Sequence, residues 1–89
     1  MGFERRLVFN EIYDSTKNMT LAYITAKCRH VEDVNDIFQD TYTELFQVLT
    51  KRGPDYIKNS KAFVMRIAKR KIARYYSLLD RLRNFVSYK

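Results

Sequence analysis

Only two glycines and one proline punctuate the 89 residues, and one of each falls together at Gly53-Pro54. Glycine and proline are the strongest local breakers of regular structure, so a chain this poor in them favours long helices over a many-turned β fold. The stretch before the break, Val34–Leu49 (VNDIFQDTYTELFQVL), has a helical period. Val34, Ile37, Phe38, Thr41, Tyr42, Leu45, Val48 and Leu49 gather on one face, the spacing of a core-facing amphipathic helix. Lys51 and Arg52 complement its C-terminal dipole before Gly53-Pro54 stops it. Its opposite face carries Asp33, Asp36, Asp40 and Glu44 at three- and four-residue steps, with no Lys or Arg between them. Such a stripe is either a solvated acidic face or a docking surface for a basic partner.

The rest of the chain divides around this helix. Phe3, Leu7, Val8, Phe9 and Ile12 form one helical pattern, and Met19, Tyr23, Ile24 and Ala26 form another. Between them Asp14-Ser15-Thr16 are capping residue types, predicting a break or kink. Arg29–Glu32 reads as a short turn, Asp55–Ser60 as a polar loop, and Ser60 as the N-cap of a last helix from Lys61 to about Asn84. On that helix Val64, Ile67, Ala68, Ile72, Tyr75, Leu78, Leu79 and Leu82 form the expected core face. These elements predict an all-α fold, a compact bundle of three to four helices forming one domain over residues 1–89.

Charge is distributed unevenly. Residues 1–57 hold seven Lys or Arg against nine Asp or Glu, whereas residues 58–89 hold ten against Asp80 alone. The halves carry −2 and +9, summing to the formal +7, and predict two different partners. Arg66, Arg70, Arg74 and Arg81 fall near a common line on the last helix, with Lys69 nearby, suited to successive phosphates of a nucleic acid. Tyr56, Phe63 and Tyr76 offer rings on which unpaired bases could stack. A solvated basic face and an anionic membrane surface are the competing readings; the second conflicts with a core role for the same helix.

Catalysis finds little support. His30 near Cys28 makes at most half a zinc site, no Glu-x-x-His pair exists, and two glycines cannot build a phosphate loop. Lys27 and Arg29 are placed to lower the Cys28 pKa, but no base-and-orienter set accompanies them. The expectation is a non-enzyme that needs no cofactor or metal. A single cysteine fits a reducing compartment, no charged-then-apolar leader opens the chain, and no apolar run approaches the roughly 18 residues that span a bilayer. The expectation is therefore a soluble cytoplasmic protein.

The segment VEDVNDIFQDTYTELF resembles the most recognisable part of region 2 in bacterial sigma factors of the extracytoplasmic-function type. Asp36, Ile37, Gln39, Asp40 and Tyr42 follow that family's order, and Phe46 stands where Trp is frequent. KAFVMRIAKRKIARYY is similar to the family's A-W-L-x-R-I-A-R-N stretch, through Ala62, Phe63, Val64, Arg66, Ile67, Ala68 and Lys69. FNEIYDSTKNMTLAYITAKC is similar to its opening helices.

The resemblance implies a transcription-initiation module of the nucleoid-associated cytoplasm. Asp33, Asp36, Gln39, Asp40, Thr43 and Glu44 would dock on the clamp helices of the largest subunit of core RNA polymerase. Tyr56, Lys58, Asn59, Ser60, Lys61, Phe63, Arg66, Lys69, Arg70 and Arg74 would bind the promoter minus-ten element and an unstacked base of its non-template strand. An anti-sigma factor joins the implied partners, and a membrane does not. Arg70 and Arg74 depart from the family's usual residues, and its second DNA-binding domain is not in this chain. The alternative is a helical protein–protein interaction domain without DNA binding.

Overall fold

The computed structural model describes residues 2–87. Three helices, α1 (Gly2–Lys27), α2 (Val31–Arg52) and α3 (Ser60–Ser87), pack against one another. A single 3-10 turn, Pro54–Tyr56, lies between α2 and α3. Among the described residues there is no strand, and no helix is long and apolar enough to cross a membrane. Short connections make α1 and α2 antiparallel, and α2 and α3 antiparallel, so α1 and α3 run the same way.

Two apolar clusters stack along the bundle. Ile12, Tyr42, Leu45, Leu49, Val64 and Ile67 fill the end near Gly53, and Ile24, Ile37, Ala68 and Tyr76 fill the end near the α1–α2 connection. Each fully buried Leu or Ile contributes about 1.5–3 kcal/mol relative to exposure. The apolar face expected on α2 is the one buried, and Thr41 sits within it, its hydroxyl donating to the Ile37 carbonyl at 2.8 Å.

The break expected at Asp14-Ser15-Thr16 does not occur. α1 runs through it because both hydroxyls turn back onto their own helix, Ser15 donating to the Ile12 carbonyl at 3.1 Å and Thr16 at 2.6 Å. Thr16 and Thr20 are wholly buried and share the Tyr42 hydroxyl, at 2.7 and 2.9 Å. Leu7 and Met19, members of the helical patterns read in the sequence, are exposed. The side chain of Phe3, expected on the same face, lies outside the described residues.

The second break falls where expected. Gly53 has φ 93° and ψ 165°, a conformation that disfavours any residue with a Cβ, while its N–H caps the Leu49 carbonyl at 2.9 Å. A Cβ there would meet nothing within 4 Å, so backbone conformation rather than space requires the glycine. The N-cap of α3 is Asn59 and not Ser60. Its Oδ1 accepts the Ala62 N–H at 3.1 Å, and Ser60 is already the first helical residue. The core face of α3 also ends earlier than its period implies: Leu78 and Leu82 are 58% and 56% exposed.

Candidate docking and nucleic-acid faces

The acidic stripe of α2 borders α3, which engages Asp33, Asp40 and Glu44. Asp33 is buried rather than exposed, its two oxygens accepting the hydroxyls of Tyr75 at 2.7 Å and Tyr76 at 2.6 Å. Those hydrogen bonds, Tyr76 first, hold its pKa below the ordinary carboxylate value. Glu44 accepts both guanidinium nitrogens of Arg70, at 3.1 and 2.6 Å, and Lys71 at 3.0 Å. The Arg70 hydrogen bonds are the main reason its pKa falls to about 2. Lys71 also stands 3.6 Å from Asp40. Thus Asp33 is lost to the expected docking face, and Glu44 reaches it already paired. Asp36, Gln39, Asp40 and Thr43 lie exposed along α2.

The cations of α3 do not hold one line. Four-residue steps overshoot a 3.6-residue turn by about 40° each, so a row of side chains drifts around the helix. Arg70 reaches α2, whereas Arg74 and Arg81 line a groove of about 800 Å³ whose far wall holds Asp36 and Asp40. Lys69 turns the other way, its ammonium 5.9 Å from the Tyr23 ring centroid. Arg66 stands 6.0 Å from the Phe63 centroid. Among the described residues, Lys58, Lys61, Arg66, Lys69 and Arg74 form no ion pair. The acidic and basic faces therefore meet across one groove rather than standing apart.

A second groove, of about 740 Å³, opens where α2 ends and α3 begins, and it holds Phe46, Tyr56 and Phe63. Tyr56 and Phe63 meet edge to face at 6.2 Å, and Arg52 lies 5.2 Å from the Tyr56 centroid. Exposed rings beside cations can stack an unpaired base and pair its phosphate. Lys58, Asn59 and Lys61 are exposed beside this end, Ser60 is half-buried, and Asn59 Oδ1 is engaged in the helix cap. The sequence predicts Tyr56 and Phe63 at such a site but gives Lys51 and Arg52 only a dipole role; both line this groove. Tyr76 cannot be a stacking platform. It is 8% exposed, donates to Asp33, and accepts the Arg29 N–H at 2.7 Å.

The expectation for Cys28 also fails. Burial is the largest influence on that thiol and raises its pKa, despite flanking Lys27 and Arg29. The Arg29 guanidinium is directed elsewhere, 4.4 Å from the Tyr76 ring centroid and paired with Asp80 at 3.0 Å.

No protein-family model, curated protein or solved structure matches this chain.

Proposed function

We propose that this chain is the region 2 module of a sigma factor of the extracytoplasmic-function type, a cytoplasmic protein that recruits core RNA polymerase to promoter DNA. The observation that carries the reading is the exposed row Asp36, Gln39, Asp40 and Thr43, the middle of the resemblance motif. The all-helical bundle agrees with it, as does the aromatic groove at Tyr56 and Phe63 with unpaired cations beside it. In this reading α2 docks on the polymerase clamp helices through that row. Lys58, Lys61, Arg66, Lys69 and Arg74 attract the DNA backbone, and Tyr56 stacks an extruded base. Backbone contacts position the strand, whereas ring and loop contacts select it.

The second reading, a protein–protein interaction domain without a nucleic-acid role, is favoured by the pairing of Arg70 and Lys71 with Glu44, which consumes part of the basic charge. Anisotropy of labelled oligonucleotides across a salt series separates the two. The proposed module prefers single-stranded non-template DNA to random duplex, and Arg74→Ala lowers affinity for all sequences and flattens the salt slope by about 0.7 for each phosphate no longer neutralised. No preference, together with an unchanged slope, favours the second reading.

A further inference from the structure

We infer that the ion-pair cluster between α2 and α3 is an exchangeable lock: Glu44 and Asp40 hold Arg70 and Lys71 off phosphate until a basic partner takes the carboxylates. This rests on the function proposed above and specifies how its two binding faces communicate. Both forked nitrogens of Arg70 are engaged by the two oxygens of Glu44, at 3.1 and 2.6 Å, leaving that fork unavailable for the matching grip on a phosphate. Lys71 divides itself between Glu44 at 3.0 Å and Asp40 at 3.6 Å. Two cations and two carboxylates thus cancel at the seam between the proposed DNA helix and the proposed docking helix.

Opening the cluster needs little movement. The Arg70 side chain is 45% exposed, so rotation about its own bonds can carry the guanidinium outward while the α3 backbone stays packed. A free phosphate must displace a carboxylate held in place by the fold, a competitor at high effective concentration. A partner bringing its own Lys or Arg to Asp40 and Glu44 removes that competitor. Exchange then conserves the number of ion pairs: partner cations move onto α2 carboxylates, and Arg70 and Lys71 move onto phosphates. They join Arg66, Lys69 and Arg74, which already lack an ion partner among the described residues. By linkage, DNA raises affinity for the partner by the same factor as the partner raises affinity for DNA. Because the Glu44 pKa lies at about 2, ordinary pH changes leave the lock closed, and a competing cation is its natural opener.

The test is fluorescence anisotropy of a labelled, mixed-sequence single strand with the 89-residue chain across a salt series. The variants are Glu44→Gln, Arg70→Ala, both together, and Glu11→Gln as a control for simple loss of an exposed negative charge. Glu44→Gln should tighten binding about fivefold at low salt, the low end of known couplings between sites. Its salt slope should steepen by about 0.7 for each additional phosphate neutralised. Glu11→Gln should tighten binding less, and adding Arg70→Ala should abolish most of the Glu44→Gln effect. Should circular dichroism show Glu44→Gln unfolded, Asp40→Asn, which loosens Lys71 while Glu44 still holds it, should give a smaller tightening of the same kind. If wild type binds and Glu44→Gln binds no more tightly than Glu11→Gln, or if its tightening survives Arg70→Ala, the lock is overturned and the function reading stands. If no variant binds DNA even at low salt, the nucleic-acid reading falls and the lock with it.

Discussion

The two seams of α2 are built from different chemistry. Against α1, α2 sets the rings of Phe38, Tyr42 and Phe46 among Phe9 and Tyr13, with Tyr13 and Tyr42 in edge contact at 4.9 Å, and a buried hydroxyl network. Against α3, it adds charge to a shared apolar core: Asp33 on two tyrosines, Glu44 on Arg70 and Lys71, and Asp40 near Lys71. An uncharged seam has no exchange partner in solution except water, whereas an ion-paired seam can exchange with any competing ion. The second seam is therefore the one that a competing ion can open.

The largest stability effect should come from the apolar core common to both seams. Leu45 is fully buried, and Leu45→Ala is expected to cost about 2–5 kcal/mol in urea unfolding, with little dependence on salt. Tyr42→Phe breaks the α1 seam alone. It leaves the Thr20 hydroxyl without its Tyr42 partner and removes one from Thr16, and about 1–3 kcal/mol should be lost across mildly acidic to neutral pH alike.

The α3 seam should instead respond to acid. The folded Glu44 pKa of about 2 lies below its ordinary 4.5, so the stability this pair contributes is present above pH 4.5 and is lost as pH falls toward 2. Solvent screening holds that contribution below about 1 kcal/mol, and Glu44→Gln should reduce the acid-dependent loss in thermal melts from about pH 6 to about pH 2. Asp33 adds a loss of the same sign, because its folded pKa is also depressed. Asp40→Asn should have the smallest effect, within about 0.5 kcal/mol, because its carboxylate is 63% exposed and its ion pair with Lys71 is long. An acid response equal in Tyr42→Phe and Glu44→Gln would erase the distinction between the seams.

Much of the fold is legible in the chain. The apolar period of α2 predicts Ile37, Tyr42, Leu45 and Leu49 as core, and Gly53-Pro54 marks its end. α1 is harder to read because its inward stripe passes through Thr16 and Thr20, buried polar residues that both bond to Tyr42 from another helix. The four-residue spacing Ile12-Thr16-Thr20-Ile24 is the signal that marks it. Leu78 and Leu82 follow the period of α3 but remain exposed, because helical spacing does not say how far the neighbouring helices extend. The candidate site shows the same limit. Spacing places Asp33, Asp36, Asp40 and Glu44 on one face, yet whether that face meets solvent or cations depends on tertiary contacts with α3. Charge pairing across 26 residues, as between Glu44 and Arg70, has no local signature.

In the proposed function the exposed middle of the acidic stripe docks on the polymerase, Asp33 belongs to the fold, and Glu44 gives up Arg70 and Lys71 on docking. Titration of the labelled chain with core RNA polymerase tests it most directly, using Asp36→Arg, Asp40→Arg and Gln39→Ala with circular dichroism as the folding control. Losing a desolvated interface contact of this kind costs about 2–5 kcal/mol, so each variant should bind at least about thirtyfold more weakly while keeping its helical spectrum. Wild-type affinity in all three folded variants would show that this face does not dock.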